Sequence, residues 1–417
     1  MKIAAIIAEY NPFHNGHKYQ IDETRKKTGA DYIVILMSGD FVQRGAPAIC
    51  NKYTRTETAL LGGADVVLEL PSLYAISSAE YFSQGAVTLL NHLGCIDYLS
   101  FGSECGDINT LMSCADKLCH FSDAQNKLLS DLQKQGLSFP TARMQMLLSD
   151  LSISQKKDYE LLLSSPNNIL GLEYCKSLLV SGSRMSPVTV LRKGAGYHDD
   201  SVSDNTREFC SASAIRSSIA MQKDDYRTHI PEDIIKIFDE HHISSHAITA
   251  DDFSSLLYYK LLSEKEIGFS KYLDCNRDIS DKISKKLASY HSFSDFCMSL
   301  KSKDITYSRI SRILMHILLN METPSCYEAT FHERNLYTPY VRLLGFNKNA
   351  SEVLSCIKKH SDIPLISNIP DAINILPPTA YSMLKKDIYC SDLYEYVSSS
   401  KTNQAPINEF KTAPIII

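Results

Sequence analysis

The sequence predicts an α/β protein in which a doubly wound parallel sheet is followed by a mainly helical region. Strand-like apolar runs recur through the first half of the chain, at IAAIIA (3–8), YIVILM (32–37), DVVLELP (65–71) and DYLSFG (97–102). These runs do not alternate apolar with polar residues, which is typical of parallel strands covered by helices on both faces. Near residue 225 this pattern gives way to helical periodicity.

The segments between these runs have helical periodicity, and each is followed by glycine. We expect helices over 16–28, 53–62 and 78–93, followed by Gly29, Gly62–Gly63 and Gly94. Glycine adopts left-handed backbone without strain, so it commonly stands just beyond the last residue of a helix. A later strand at SPVTVLR (186–192) and a helix at SASAIRSSIA (211–220) complete the alternation of a doubly wound sheet.

The change in periodicity divides the chain into two predicted domains, 1–222 and 223–417. Helical patterns in the second domain lie at 231–241, 251–262 and 307–319, and a strand-like run returns at 366–376. We therefore predict an α/β domain followed by a mainly α-helical C-terminal domain.

The composition is that of an ordinary globular protein. Of 417 residues, 44% are hydrophobic and 22% are charged, and the net charge is −5. No apolar run is long enough to cross a bilayer and no N-terminal signal pattern is present, so we expect a cytoplasmic protein. The 12 cysteines are scattered without a C-x-x-C pair, which favours reduced core thiols over a zinc site. A local basic groove for nucleic acid remains compatible with the negative net charge.

The stretch EYNPFHNGH (9–17) follows the first predicted strand, where an open α/β sheet binds its ligands. A helix that starts near Asn15 presents free backbone N–H groups and the positive end of its dipole, which attract phosphate. His14 and His17 add donors that can follow charge developing on a phosphoryl group. Gly16 would let a base or phosphate approach the backbone closely. The turn is therefore a candidate nucleotide site.

Three other interpretations of this turn stay open. An H-x-x-H pattern at a helix start is often incidental. A metal site is a second interpretation, although the zincin pattern has histidines four apart with an intervening glutamate. Asn11 and Asn15 could also serve as helix caps.

A second motif, SASAIR (211–216), opens the last helix of the predicted α/β domain. Ser211 and Ser213 at a helix start would present hydroxyl and N–H groups, and Arg216 on the next turn could bind phosphate oxygens in a fork. The alternative is a serine-capped surface helix with a solvated arginine.

Together the two motifs resemble the nucleotidyltransferase superfamily with a HIGH-type first motif, whose members carry H-x-G-H after strand one and a late S-[ST]-x-[IL]-R type motif. The ordered motifs are similar to those of the bacterial tRNA(Met) cytidine acetate ligase family. They are EYNPFHNGH, MSGDFVQRGAP (37–47), ELPSLYA (69–75), FGSE (101–104), SPNNILGLEY (165–174) and LRKGAGYHD (191–199), with weaker echoes at 308–314 and 339–346. The resemblance implies a Rossmann-like sheet of nucleotidyltransferase type.

The resemblance also implies an activity. The family activates acetate with ATP to acetyladenylate, releases pyrophosphate, and transfers the acetyl group to the exocyclic amine of the wobble cytidine in elongator tRNA(Met). We expect ATP as substrate, Mg²⁺ at its phosphates, tRNA and acetate as partners, and neither DNA nor a membrane. By resemblance, the ATP contacts are Ile7, Ala8, Glu9, Tyr10, Asn11, Pro12, Phe13, His14, Asn15, Gly16, His17, Lys18, Tyr19, Gln20, Gly102, Asn168 and Arg192.

Chemistry suggests roles for some of these residues. His14 and His17 are the expected catalytic groups, stabilising charge at the α-phosphate. Arg192, Lys193 and Arg216 would hold the β- and γ-phosphates, with Ser211 and Ser213 on the same side. Gly102 would admit the adenine or the ribose.

Other assignments stay open at the level of sequence. Asn168 could read an adenine edge or cap a helix, and Asn167 could be the contact residue instead. Glu9 could bind a ligand or orient a neighbouring ring. Asp40, Gln43 and Arg44 follow the second strand and could face substrate or form a solvated turn.

The helical half is the expected site of tRNA binding. Its densest basic stretch includes Arg309 and Arg312, which are three residues apart and therefore share one helix face. Both could instead be solvated and paired with acidic neighbours. Two competing functions are a small-molecule adenylyltransferase with the same ATP site and a nucleotide-responsive RNA-binding protein without catalysis.

Overall fold

The computed structural model describes residues 1–135, 139–149, 159–160, 162–193, 209–322 and 337–417. The described strands are β1 (Ile3–Ala8), β2 (Tyr32–Ser38), β3 (Phe41–Val42), β4 (Ala46–Pro47), β5 (Val66–Leu70), β6 (Tyr98–Ser103), β7 (Ser186–Leu191), β8 (Val341–Phe346), β9 (Leu365–Ile366) and β10 (Ile415–Ile416). Within these residues, eight strands form one sheet in the order β10-β8-β5-β2-β1-β6-β7, with β9 also paired to β8. The remaining two strands, β3 and β4, form a small hairpin.

Helices cover both faces of this sheet. In the first half they are α1 (Asn15–Thr28), α2 (Lys52–Leu61), α3 (Ser72–Ala75), α4 (Ala79–His92), α5 (Ile108–Cys119), α6 (Asp123–Lys134), α7 (Phe139–Ser149), α8 (Pro166–Ser181) and α9 (Ala212–Ala220). Alternate residues of β1 enter different cores, Ala5 on one face and Ala4 and Ile6 on the other. This two-sided burial is why the strand sequences are continuously apolar, and it confirms the predicted doubly wound fold.

The second half is mainly helical, as predicted. Its helices are α10 (Glu232–Glu240), α11 (Ile243–His246), α12 (Ser254–Glu264), α13 (Arg277–Lys286), α14 (Phe293–Leu300), α15 (Tyr307–Leu318), α16 (Ser351–His360), α17 (Ala372–Ile375) and α18 (Pro378–Thr402). Four short 3-10 helices lie at Asp225–His229, Ala250–Phe253, Leu287–Ser289 and Lys348–Ala350. No described helix is long and apolar enough to cross a membrane.

Three strands of the second half join the sheet of the first, which the sequence analysis did not anticipate. β8 pairs antiparallel with β5, and β9 and β10 pair parallel with β8. The strand-like run at 366–376 was a wrong prediction, because β9 stops at Ile366 and α17 covers Ala372–Ile375. The boundary at 222/223 stays a prediction, but the sheet is continuous across the two halves.

The order in which the chain adds strands to the sheet changes side between β1 and β6, which are themselves parallel. The chain passes from β1 through α1 to β2 and then to β5 on one side, and returns across β1 to β6 and β7 on the other. Parallel strands on both sides of such a switch point leave a crevice at their carboxyl ends. The EYNPFHNGH turn leaves β1 at this edge.

Candidate active site

The two histidines of the turn cap the first helix reciprocally. His14 is the N-cap of α1, and its Nδ1 accepts the Gly16 N–H at 3.0 Å. The Nδ1 atom of His17 accepts the His14 N–H at 3.3 Å. The two ring centroids are 3.8 Å apart with an angle of 30° between the planes. The interpretation of Asn11 and Asn15 as helix caps was therefore wrong, because His14 and His17 form the cap.

This arrangement fixes the protonation of both rings. Burial lowers the pKa of His14 well below its usual range, and the neighbouring His17 and Arg192 lower this pKa further, because each disfavours a positive charge on the His14 ring. Burial, followed by Arg192, lowers the pKa of His17 to about 3. Because each Nδ1 accepts a backbone N–H, each neutral ring carries its proton on Nε2. No described residue hydrogen-bonds either Nε2 atom, so both remain available as donors.

Gly16 has a different role from the one expected. A Cβ on this residue would lie 2.8 Å from Cε1 of His14 and 3.5 Å from Cβ of Phe209. The His14 ring already occupies the space that the sequence analysis reserved for a ligand. Glycine is therefore needed here because the capping ring folds back over the first turn of the helix.

A cleft opens in front of the rings, between α1 and the carboxyl ends of β6 and β7. Its empty space is about 500 Å³, open solvent included. The lining residues are His14, Gly16, His17, Tyr19, Gln20, Gly102, Val190, Leu191, Arg192, Lys193, Phe209, Cys210 and Ser211. We call this the histidine cleft. It lies at the switch point of the sheet, where α/β proteins bind nucleotides.

Cationic and aromatic groups line the cleft together with the histidines. The Arg192 N–H donates to Ser103 O at 3.0 Å, and a Cβ on Gly102 would lie 3.4 Å from Cγ of Arg192. Burial lowers the pKa of the Arg192 guanidinium, and the Glu104 carboxylate opposes this. The Lys193 ammonium lies 4.7 Å from the ring centroid of Tyr19.

Phe209 is a cleft residue that the sequence analysis missed. Its ring centroid is 5.3 Å from that of Tyr19. It stands two residues before the SASAIR motif, and an isolated phenylalanine gives no signal that separates a cleft wall from a core. Tyr19 and Phe209 together present an aromatic surface to the cleft.

Of the three residues predicted in the SASAIR segment, Ser211 lines the cleft, whereas Ser213 and Arg216 support the turn beside it. Ser211 is the N-cap of α9, where its Oγ accepts the Ala214 N–H at 3.0 Å, and it lines the cleft. Arg216 donates to Asn11 O at 2.6 Å and to Ser213 Oγ at 3.1 Å. Arg216 and Ser213 thus tie α9 to the histidine turn, and neither is among the cleft-lining residues.

Asn167 and Asn168 lie in the first turn of α8 and are not among the residues that line the cleft. The Asn168 Oδ1 accepts the N–H groups of Glu104 at 2.9 Å and Cys105 at 3.1 Å. The Glu104 carboxylate accepts the N–H groups of Asn167 at 3.2 Å and Asn168 at 2.8 Å. Both asparagines hold the FGSE loop, and the buried Asn168 Nδ2 has no hydrogen-bond partner in the described part of the chain.

The other predicted contacts in the 7–20 window form the frame of the turn. Asn11 Oδ1 accepts the Ile49 N–H at 2.9 Å, and the fully buried Phe13 fills the space above Gly62. Asn15 Nδ2 donates to Thr228 O at 3.1 Å. The remaining members are Ile7, Tyr10 and Pro12, which are buried, Ala8 and Glu9, which are half-buried, and Lys18, which pairs with Asp22 at 3.6 Å.

A second polar group occupies the same edge of the sheet, on the far side of β1. Its members are at most 5% exposed and are Asp40, Lys52, Arg55, Glu69, Arg342 and Glu409. We call this the ionic cluster. Lys52 Nζ lies 2.9 Å from Glu69 and 3.2 Å from Glu409. Arg342 lies 3.1 Å from Glu69 and also contacts Glu409.

Asp40 matches neither of its expected roles. Its Oδ1 accepts the Lys52 N–H at 2.7 Å and its Oδ2 accepts the Ser391 hydroxyl at 2.6 Å. The residue is 3% exposed, so it is neither a solvated turn nor free to meet a substrate.

Arg309 and Arg312 share one face of α15, as expected, and also share an acidic neighbour. Their guanidinium groups lie 3.1 and 3.8 Å from the Asp274 carboxylate. The Arg309 side chain is 37% exposed and that of Arg312 is 11% exposed. Of the two, Arg309 is the better placed to meet a large external partner.

Known proteins match the whole chain. A family model described as HIGH Nucleotidyl Transferase matches residues 1–409. The tRNA(Met) cytidine acetate ligases of Clostridium novyi (strain NT) and Clostridium perfringens (strain SM101 / Type A) are each 37% identical, over 423 and 425 residues, with 100% coverage of both chains.

Two solved structures of Thermotoga maritima TmcAL also match 100% of both chains. The apo form I has a TM-score of 0.91 at 30% identity, and the form bound with alpha-thio ATP has 0.88 at 28%. With the H-x-G-H turn at the switch point and SASAIR beside it, these matches confirm the resemblance drawn from the motifs. The chain belongs to the HIGH nucleotidyl transferase family, in the group of the tRNA(Met) cytidine acetate ligases.

Proposed function

We propose that this protein is an ATP-dependent ligase that acetylates the wobble cytidine of elongator tRNA(Met), through an acetyladenylate intermediate. Relatives with this activity in their names match over the full length. The observation that carries the proposal is the pair of neutral histidines with free Nε2 donors at the mouth of the histidine cleft. The similar TmcAL of Thermotoga maritima has been solved bound with alpha-thio ATP, which supports ATP as a ligand of this chain.

In the first step, an acetate oxygen attacks the α-phosphorus of ATP and the bond to the β-phosphate oxygen breaks, so that pyrophosphate leaves. Positioning and charge stabilisation account for most of the catalysis of such a transfer. His14 and His17 would donate from Nε2 to α-phosphate oxygens. Arg192, Lys193 and the N-terminus of α9 at Ser211 would hold the departing phosphates.

Neutral rings suit this step better than charged ones would. A neutral imidazole can donate a hydrogen bond from Nε2 to the phosphate oxygen as negative charge develops there. It does not first have to break an ion pair with a carboxylate of the protein, as a charged imidazolium would. The pKa values of both rings are lowered, chiefly by burial, so the donors are present throughout the physiological range.

Mg²⁺ belongs to this proposal as an ion that arrives with ATP. The part of the chain that the structure describes has no group of three His, Cys, Asp or Glu side chains able to hold a metal. Mg²⁺ keeps several waters and is commonly held by substrate phosphates with one or two carboxylates. The phosphates of ATP would therefore be its main ligands.

In the second step, the cytidine amine attacks the acetyl carbonyl and AMP leaves. The tRNA would be held by phosphate contacts that place an unstacked base at the site. Arg309 is a candidate for one such contact, with Arg312 behind it on the same face of α15.

The test measures pyrophosphate release from ATP and acetate, with and without tRNA, followed by nucleoside analysis of the tRNA. Acetate-dependent release together with acetylcytidine is the expected result. Release only with a phosphorylated small molecule would instead identify a small-molecule adenylyltransferase. No release under any condition would contradict catalysis at this cleft.

A further inference from the structure

A second cavity, larger than the histidine cleft, lies at the outer edge of the sheet beyond β8. Its empty space is about 970 Å³, open solvent included. It lies between α16, the residues that follow β9, and the segment 410–416, which includes β10. We call this the edge groove. Among the described residues it shares no lining residue with the histidine cleft, and neither proposed half-reaction uses it.

The groove forms because two short strands share one edge of β8. β5 pairs with the opposite edge, so β9 and β10 both pair with this one. The pairing with β9 stops at Arg342, and the pairing with β10 starts at Gly345. In the described part of the chain, Leu343 and Leu344 therefore have no partner strand on this edge. The buried Leu343 side chain lines the groove at this gap.

Apolar side chains make up much of the groove lining. They come from the sheet and from the walls and are Leu343, Phe346, Leu354, Leu365, Phe410 and Ile416. Phe410 and Ile416 are exposed, and an exposed apolar residue that stands alone is ordinary. Six around one concavity form an apolar patch, which on a protein surface commonly marks a binding site. Sites for small molecules have this concave, mainly apolar form and a volume of about 300–1,000 Å³.

Two lysines set the charge of the edge groove. Lys358 lies four residues after Leu354 on α16 and therefore shares its helix face. Lys411 follows Phe410 in the segment 410–416. Neither ammonium group has a hydrogen bond or an ion pair with a residue that the structure describes. The described lining residues include no Asp or Glu, so the charge of the groove is complementary to an anion.

The short gap in the sheet edge favours a small molecule over a peptide strand. A peptide that extends a sheet forms main-chain hydrogen bonds along an exposed edge. The open edge here is only Leu343 and Leu344, because β9 and β10 occupy the positions on either side. A compact ligand with an apolar body and one negative head fits both the gap and the charge.

We propose that the edge groove binds a small amphipathic carboxylate. Its apolar body would lie against Leu343, Leu354 and Phe410. Its head would pair with Lys358 and Lys411, whose ammonium groups can donate to both carboxylate oxygens without a fixed orientation. An apolar body adds affinity in proportion to the area that it buries. This inference goes beyond the proposed function and does not depend on it.

The test measures the binding of hexanoate, octanoate and decanoate to the full chain by equilibrium dialysis. Each is measured alone and with the α,β-methylene analogue of ATP, which cannot be cleaved between the α- and β-phosphates. We expect decanoate to bind at least about tenfold more tightly than octanoate, because each buried methylene contributes a factor of about four. The analogue should leave these affinities unchanged, because the edge groove is separate from the histidine cleft.

Variants of the lining locate the site. The double variant Lys358→Gln, Lys411→Gln is expected to weaken decanoate binding about fivefold to twentyfold, the scale for two exposed charge pairs. Phe410→Ala keeps both charges and is expected to weaken binding several-fold, because part of the apolar wall is lost. Lys359→Gln is the matched control, because Lys359 is an exposed neighbour on α16 that does not line the groove. All four positions are exposed, so each variant should fold as the wild type does.

Three outcomes would overturn the inference. Absence of decanoate binding at millimolar concentration would show that the groove takes no such ligand. Displacement of decanoate by the ATP analogue would assign the carboxylate to the histidine cleft. Equal affinity in the double variant, in Phe410→Ala and in Lys359→Gln would show that decanoate binds elsewhere on the surface.

Discussion

The histidine cleft and the ionic cluster lie at the same carboxyl edge of the sheet but satisfy their polar groups in opposite ways. In the cleft, the Nδ1 atoms are bonded while both Nε2 donors remain free. In the cluster, three carboxylates and three cations surround one another with almost no exposure. Donors that remain free and face a cleft indicate a role in binding or catalysis. Buried charges that pair with one another indicate a role in stabilising the fold.

The pKa values express the same contrast. In the cleft, burial dominates and keeps both imidazoles neutral. In the cluster, burial acts to raise the pKa of Glu409, but Lys52 and Arg342 outweigh it and lower this pKa to about 2. The two imidazoles of the cleft are therefore uncharged, whereas the side chains of the cluster stay charged because each is paired with a group of opposite charge.

Removing one member of the cluster is expected to have the largest effect on the fold. Glu69→Gln leaves Lys52 and Arg342 each short of one carboxylate, and an uncompensated buried charge costs about 3–5 kcal/mol. The free energy of unfolding in urea measures this. The exposed ion-pair variant Lys236→Met is the control and should show no change. A loss below about 1 kcal/mol for Glu69→Gln would show that the cluster is not an essential network.

Removing one ring of the cleft is expected to affect chemistry and leave the fold intact. His17→Ala loses one Nε2 donor, and the loss of one such donor typically lowers the rate about 10²–10³-fold. Pyrophosphate exchange with acetate measures the rate. The free energy of unfolding in urea should fall by no more than about 2 kcal/mol, the scale of one lost helix cap, so that the variant still folds. Full activity in His17→Ala would show that the His17 ring has no role in adenylation.

The buried neutral rings also predict a pH dependence of stability. Below pH 6.5 an unfolded histidine binds a proton that the folded His17, with a pKa of about 3, does not bind. The free energy of unfolding should therefore fall as the pH drops from 6.5 towards 3, by up to about 1.4 kcal/mol per pH unit for each such ring. Urea titrations between pH 6.5 and 5 should show a shallower slope for His17→Ala. Identical slopes would mean that the ring is not held neutral.

The smallest expected effect lies outside both regions, on α15. Arg309→Gln should weaken tRNA binding several-fold and reduce the slope of log affinity against log salt by about 0.7–0.9, the value for one lost phosphate contact. Filter binding over a range of salt concentrations measures both quantities. Lys236→Gln, on α10, serves as the control. Undiminished affinity at physiological salt would show that Arg309 makes no contact with tRNA and only forms its ion pair with Asp274.

The histidine cleft could be predicted from sequence because its signal is local. EYNPFHNGH lies within nine residues, and the switch point of the sheet follows from the alternation of strands and helices. The reason for Gly16 could not be predicted, because only the structure shows that the His14 ring folds over it.

The ionic cluster left no comparable signal. Its members extend from Asp40 to Glu409, and each charge alone resembles a solvated surface residue. Arg342 also interrupts the apolar run of β8, which is why that strand was missed and the second half was expected to be separate from the sheet.

The most direct test of this contrast is acetate-dependent pyrophosphate exchange per folded molecule, measured side by side for wild type, His17→Ala and Glu69→Gln. Circular dichroism at low temperature gives the folded fraction of each. We expect a loss of about 10²-fold or more for His17→Ala and near wild-type exchange for the folded fraction of Glu69→Gln. Equal losses in the two variants, or a larger loss in Glu69→Gln, would contradict the assignment of chemistry to the histidine cleft and of architecture to the ionic cluster.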